Sequence, residues 1–130
     1  MADEDREQVI NLWGGSYSAS APNEASEFLA TAREPYVSSI LVGKKNGDVI
    51  AGAMVCYDGH RGWIYGVCVD KTFQSQGFGK AIVSEAEAWL SKRGASTIHL
   101  QMRFTSVAAI RFYDKLGYQF QDMVVLGKHI

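Results

Sequence analysis

The feature that most constrains this chain is a change of hydrophobic period at Gly77. Before it, Trp63 to Asp70 reads as a strand, and Lys71 to Gln76 as a loop with no long apolar run. From Gly77 onward the apolar residues recur at helical spacing, with Ile82, Ala86 and Trp89 on one track and Val83, Ala86 and Leu90 on the next. Lys92 and Arg93 fall in the last turn, and Gly94 is placed to end the helix. A strand that runs through a glycine-bearing loop into an amphipathic helix calls for an α/β domain, because each element has one apolar face to bury against the other.

The remaining elements follow from the same test of period. Asp3 to about Trp13 reads as a short helix, capped by Asp3 or Asp5, striped by Val9, Ile10, Leu12 and Trp13, and stopped by Gly14-Gly15. Ser16 to Pro22 is a loop, and Glu24 to Arg33 a second helix with Asn23 as cap, Phe28 and Leu29 inward and Pro35 as its end. Val37–Lys45, Val49–Tyr57 and Trp63–Asp70 form an antiparallel meander, joined by Asn46-Gly47 and by Asp58-Gly59-His60-Arg61-Gly62. Ser96 to Phe104 alternates, with Ile98, Leu100, Met102 and Phe104 on one face and Thr97, His99, Gln101 and Arg103 on the other. Ser106 to Leu116 is a helix stopped by Gly117, with Ala109, Phe112, Tyr113 and Leu116 along one face. Tyr118 to about Lys128 is expected to close the chain as a strand, so the order is ααβββαβαβ.

Composition limits the partners. A chain of 130 residues has room for one domain, 1–130, and 47% hydrophobic against 21% charged residues favours a folded core over disorder. A net charge of -1 lacks the broad basic field of a nucleic-acid binder. No apolar run approaches a bilayer span, and the acidic Met1-Ala2-Asp3-Glu4-Asp5 start is unlike a signal peptide, so no membrane partner and a cytoplasmic location are expected. With a turn centred near His60, Cys56 falls opposite about Ile64 and Cys68 roughly 13 Å further along. That exceeds the reach of a disulfide, and both are expected to be reduced core thiols. His60, His99 and His129 are scattered without zinc spacing, so no metal is expected.

The chemical signal is the run from Val67 to Lys80. Glycines at 77 and 79 let a backbone approach a ligand closely. The first N–H groups of the helix lack intrahelical partners and sit at the positive end of its dipole. Together they suit a diphosphate, with Lys80 adding a charge. The P-loop pattern fails because Gln74 and Ala81 stand where it needs Gly and Ser/Thr, and the dinucleotide fingerprint fails because Ile82 stands where it needs Gly. A purely structural strand–loop–helix turn is the alternative.

What fits is Gln/Arg-x-x-Gly-x-Gly/Ala, met by Gln74, Gly77 and Gly79, which resembles the pyrophosphate loop of the GCN5-related N-acetyltransferases. Ser106-Val107-Ala108-Ala109-Ile110-Arg111-Phe112-Tyr113-Asp114-Lys115-Leu116-Gly117-Tyr118 resembles that family's Asn-x-x-Ala-x-x-Phe-Tyr-x-x-x-Gly-Phe/Tyr stretch, about thirty residues later and after an intervening strand. With Trp63–Asp70 and the preceding turn, the chain looks like the small YpeA-type bacterial members. The resemblance covers nearly all of it and is loosest from Gly14 to Tyr36.

The resemblance implies an α/β (α+β) fold. A mixed, mostly antiparallel sheet is flanked by four helices, and the central parallel pair, Trp63–Asp70 and Ser96–Phe104, splays apart to hold acetyl-CoA. Backbone groups of Val67, Cys68 and Val69 would pair with the pantetheine arm as an added strand, one N–H facing the thioester oxygen. Gly66 would mark the family's bulge. Gln74, Ser75, Gln76, Gly77, Phe78, Gly79 and Lys80 would cradle the diphosphate.

The implied reaction is acetyl transfer by direct attack of a primary amine, from a small molecule or peptide, within a ternary complex. Tyr113 matches the general-acid tyrosine that serves the departing thiolate. Ser106 stands where the family has Asn, and either bonds the coenzyme or caps the helix. Lys71-Thr72 replaces a usual Pro-Asp/Glu. The strand has no glutamate to act as base; Tyr65, expected to share a face with Val67 and Val69, is not one, and a water-relayed path is the default. An α-amine with a pKa near 8 needs less help than a lysine amine near 10.4. Trp13, Tyr17, Asp58 and Tyr65 are candidates for the acceptor site, His60 is read as a turn residue, and His99 as satisfied structure. The rival reading, motivated by Ser106 and the missing glutamate, is a non-catalytic acyl-CoA-binding or sensing domain. Fold analogy also allows a homodimer paired through the exposed last strand.

Overall fold

Asn46 and Gly47 both take positive φ, 54° and 85°, as a two-residue hairpin turn requires. In the computed structural model of the chain, which describes residues 2–16, 37–103 and 105–130, this turn joins β1 (Ser38–Lys45) to β2 (Asp48–Tyr57). The Asp58–Arg61 turn returns the chain as β3 (Arg61–Val69), antiparallel to β2. Asp58 explains that turn, since its carboxylate accepts from the His60 and Arg61 N–H groups at 2.9 and 2.6 Å. The helix α2 (Phe78–Lys92) then crosses over, and β4 (Thr97–Leu100) lies parallel to β3. The sheet order is β1-β2-β3-β4, followed in the chain by α3 (Val107–Lys115).

Each face of the sheet carries one apolar cluster. On one, Ile82, Val83, Ala86 and Leu90 of α2 pack on Ala51, Ala53, Val55 and Ile64. Leu90 is wholly buried, and a Cβ at Gly62 would come within 2.8 Å of it, so the glycine lets α2 settle close to β3. On the other face Val9, Leu12 and Trp13 of α1 (Arg6–Ser16) pack on Ile40, Val49, Met54 and Cys68. Two polar ties hold α1 in place. Gln8 Oε1 accepts from the Val49 N–H at 2.9 Å, and buried Asp5 pairs with Lys44 at 2.8 Å.

The structure corrects several expectations. The first helix does not stop at Gly14-Gly15. A 3-10 turn at Asp3–Asp5 leads into α1, which runs through both glycines to Ser16. Burial of Val9, Leu12 and Trp13, at about 1.5–3 kcal/mol each, outweighs the roughly 1 kcal/mol a helical glycine costs. The fourth strand is four residues long rather than nine. Tyr118 to Lys128 forms no strand, because the described sheet ends at short β4 and gives this segment no ladder partner. Its apolar groups, Leu126 at 89% among them, lie exposed.

Cys56 pairs with Trp63 rather than Ile64, and Cys68 with Gly52; both thiols are free. The expected helix Glu24–Arg33, Tyr17 and Phe104 lie outside the described residues, and three α-helices are found within them. No helix among the described residues is long and apolar enough to cross a membrane.

Candidate functional site

The site begins where a ladder stops. β3 and β4 pair from Arg61↔Thr97 to Ile64↔Leu100 and no further. β3 runs on to Val69 with no ladder partner on that side among the described residues. Backbone N–H and C=O groups in a sheet demand partners, so this open edge is suited to an extended ligand.

At the mouth of the opening sits a bulge. Between the pairs Gly52↔Cys68 and Met54↔Tyr65, β2 spends one residue and β3 spends two, Gly66 and Val67. Gly66 takes φ 61°, and a Cβ there would lie 3.2 Å from the Trp13 ring. The Trp13 indole N–H donates to the Gly66 carbonyl at 2.6 Å. Trp13 is 2% exposed, so it braces the bulge and offers an acceptor no face.

The extra residue flips the alternation. Tyr65 packs with the α1 cluster, whereas Val67 and Val69 pack with the α2 cluster. The expectation that these three share a face is therefore overturned.

Beyond Val69 the loop is built from its own polar groups. Asp70 accepts from the Thr72 N–H at 2.9 Å and caps a 3-10 turn, Lys71–Phe73. The Gln74 amide donates to Val69 O at 3.0 Å, and the Gln76 amide to Thr72 O at 3.3 Å. Gln74 and Gln76 thus shape the loop with their side chains. Ser75 and Gly77 take φ of 62° and 90°, and Gly77 is the N-cap of α2. A Cβ at Gly77 would meet nothing within 4 Å, so the N-cap of the helix borders open space. Lys80 is exposed in the first turn, which holds no acidic residue.

The sequence analysis missed Lys45. Its ammonium lies 5.3 Å from the Phe73 ring and 5.9 Å from the Phe78 ring, adding positive charge beside the loop. The Asn46-Gly47 hairpin was the available signal, since it returns β1 to the end of the sheet where β3 leads into this loop.

Helix α3 packs against the α2 face through Phe112, Tyr113 and Leu116. Phe112 lies in the space left by Gly79, and Tyr113 meets Phe112 and Tyr118 edge-on at 4.9 and 5.7 Å. Tyr118 donates to Glu87 Oε2 at 2.7 Å, tying the end of α3 to α2. Burial pushes the Tyr113 phenol up to about 12, with a smaller contribution from nearby Cys68. Burial likewise pushes the Cys68 thiol up to about 12. Ser106 sits at the N-cap of α3, yet its hydroxyl makes no cap hydrogen bond.

On the α1 face a second group gathers. Trp63 stacks on Tyr65 with centroids 6.3 Å apart, and His99 of β4 lies 5.1 Å from Trp63. Asp58 accepts weakly from the Trp63 indole at 3.4 Å, and its carboxyl is held below the usual range chiefly by the Arg61 and His60 N–H groups. It is a turn-former and a poor base. His60 is exposed in the same turn.

The chain is similar to known acetyltransferases. The profile of the Acetyltransferase (GNAT) family matches residues 6–118. A Pectobacterium atrosepticum protein named as an acetyltransferase is 33% identical over 127 residues, covering 98% of this chain and 90% of its own. A Yersinia pseudotuberculosis acetyltransferase is 32% identical with the same coverage. Among solved structures, glucosamine-6-phosphate N-acetyltransferase from Arabidopsis thaliana superposes with a TM-score of 0.79 at 20% identity, covering 99% of this chain and 94% of that one. The complex of AAC(6')-Iy with the bisubstrate analogue CoA-S-monomethyl-acetylneamine superposes at 0.75 and 15% identity, covering 100% and 95%.

Proposed function

Because the chain belongs to the Acetyltransferase (GNAT) family and is an N-acetyltransferase, we propose that it moves an acetyl group from acetyl-CoA to the primary amine of a small molecule or peptide within a ternary complex. The observation that carries this reading is the early end of the β3–β4 ladder. It leaves the β3 edge open from Tyr65 to Val69, leading straight into the Gly77 loop and the N-terminus of α2.

The residues fit the donor. The diphosphate lies on the N–H groups from Gln76 to Lys80, where Gly77 faces open space and Lys45 and Lys80 add charge. The pantetheine amides pair with the backbone of Val67, Cys68 and Val69, and the free hydroxyl of Ser106 is available to the same arm. An N–H at the bulge meets the thioester oxygen, already held in place as charge develops there.

Tyr113 serves the departing sulfur, and the acidities decide how. An ordinary phenol near 10 gives its proton uphill to a thiolate whose thiol lies near 8.5. Burial holds the Tyr113 phenol in its protonated form, so it can hand its proton to the sulfur as the C–S bond breaks, and no free thiolate has to form first. The exposed apolar groups at Phe120, Val124 and Leu126, and the edge of β4 that pairs with no strand among the described residues, support a homodimer, which sedimentation measures directly.

Isothermal titration with acetyl-CoA, followed by thiol release over a panel of amines, tests the proposal. Binding in the micromolar range with release for at least one amine supports it. Binding with no release for any amine makes the chain an acyl-CoA-binding domain instead, and no binding removes the loop assignment.

A further inference from the structure

His99 does not behave as a satisfied structural histidine. Its Nδ1 is shut away from solvent and has no hydrogen-bond partner among the described residues. A buried nitrogen without a partner destabilises the fold, and this one stands one pair from the end of the β3–β4 ladder, which points to a partner that arrives with a ligand.

Its place in the sheet says which ligand. His99 pairs with Trp63, one residue before the last β3–β4 pair, Ile64↔Leu100. It therefore stands just behind the apex of the opening. The ring leans on Trp63, which stacks on Tyr65 at the mouth. Tyr65 belongs to the α1 face, whereas Val67 and Val69, along which the donor would lie, pack toward α2. An acetyl group delivered to the apex thus meets Tyr65, Trp63 and His99 from the face opposite α2.

Resting on the proposed reaction, we infer that His99 accepts the proton shed by the attacking amine, directly or through one water, and that the Trp63–Tyr65 stack lines the path of that amine. With its hydrogen on Nε2, the imidazole presents Nδ1 as a bare acceptor. The amine lone pair forms the C–N bond, the C–S bond breaks, and its electron pair leaves on the coenzyme sulfur. The nitrogen's proton goes to Nδ1 and the sulfur takes one from Tyr113. Loss of a proton from His99 to water and return of one to Tyr113 restores the site.

Among the described residues, the other titratable and charged groups near this wall are Cys56, Asp58, His60, Arg61 and Tyr65. Cys56 and Tyr65 are raised by burial and Asp58 is lowered by its N–H partners, so all three move away from neutrality. His60 is the other imidazole on this wall and lies exposed in the turn, so exchanging it controls for His99.

The experiment uses His99→Phe, which keeps a ring against Trp63, His99→Asn, which keeps a polar atom near Nδ1 without its basicity, and His60→Gln as control. Acetyl-CoA affinity by titration and amine acetylation across pH 5–9 are read for each. The expected result is unchanged acetyl-CoA affinity in all, a turnover about 10²-fold lower in both His99 variants, and a pH–rate profile altered in them alone. Normal turnover in His99→Phe, or full rescue by His99→Asn, overturns the inference and leaves the proposed function standing. If His99→Phe does not fold, His99→Asn alone decides. A wild type that binds acetyl-CoA but acetylates no amine, or that does not bind it, overturns both.

Discussion

Phe112 occupies the room that Gly79 leaves: a Cβ at Gly79 would stand 3.3 Å from Phe112 Cζ and 3.7 Å from Val69 Cγ2. The second glycine of the loop is therefore required for packing of α3, whereas the first, Gly77, is required for its φ of 90° and faces open space. The two glycines should separate by experiment. Gly79→Ala is expected to cost about 1–3 kcal/mol through overpacking and to lower turnover more than acetyl-CoA affinity, because Phe112 precedes Tyr113. Gly77→Ala is expected to cost about 1–2 kcal/mol in backbone strain and to weaken acetyl-CoA binding instead. Thermal melts with titration calorimetry distinguish them. A Gly79→Glu exchange abolishes binding too, by displacing Phe112 as much as by setting a carboxylate near the diphosphate.

Tyr113→Phe keeps the aromatic contacts with Phe112 and Tyr118 and removes only the hydroxyl. Turnover should fall about 10²-fold with little change in acetyl-CoA affinity. The phenol is raised from its ordinary value near 10 to about 12 by burial. Its protonated form is thus the one the fold favours. Its contribution to stability is complete below about pH 10 and is lost as pH rises toward 12. Rate profiles of the wild type should accordingly show no limb from this group up to about pH 10. A limb near 9 that vanishes in Tyr113→Phe would place the phenol in a wetter setting than the one described.

Trp13 acts at a distance from the reacting atoms, through the Gly66 carbonyl it holds at 2.6 Å. Trp13→Phe keeps most of the buried ring and leaves that carbonyl without this donor. The expected cost is about 1–3 kcal/mol. Because the bulge aims the N–H groups of β3, turnover should fall several-fold beyond what lost stability explains. Denaturant melts and steady-state rates, taken where both proteins are fully folded, separate the two effects.

What the sequence makes legible is whatever depends on local period and on turn chemistry. Asn46-Gly47, the Gly77 helix start and the existence of a strand across Trp63–Val69 could be read because each declares itself within a few residues. What could not be read depends on a partner far along the chain. Gly66 suggested a bulge, but the resulting flip that turns Tyr65 away from Val67 and Val69 needed the register against Gly52 and Met54. Gly14-Gly15 reads as a helix stop until the packing of Trp13 against Gly66 is known. Tyr118–Lys128 is apolar enough to read as a strand, but a strand exists only beside another, and the described sheet provides it none. Lys45 and His99 belong to the same class, since their roles depend on Phe73 and on the end of the β4 ladder.

Asp5 links acid stability to the site. It is 3% exposed and pairs with Lys44 at 2.8 Å, and this hydrogen bond is the chief cause that holds its carboxyl below the ordinary value. A lowered folded pKa means that its contribution is present above the ordinary carboxylate range and is lost as pH falls through the lowered value. Lys44 is the mirror case: raised by the same bond, it contributes below the ordinary lysine value and loses that contribution as pH rises through the raised one. The pair clamps the start of α1 to β1, and α1 carries the Trp13 that braces the bulge. Asp5→Asn should therefore lower the melting temperature by a constant amount between pH 6 and 8, with the difference shrinking as the solution is acidified below the ordinary carboxylate value near 3.9. In the wild type, turnover should fail on acidification before the α2 face of the core melts, seen as lost activity ahead of lost far-ultraviolet ellipticity. Coincident loss of the two would mean that α1 and the sheet unfold as one unit.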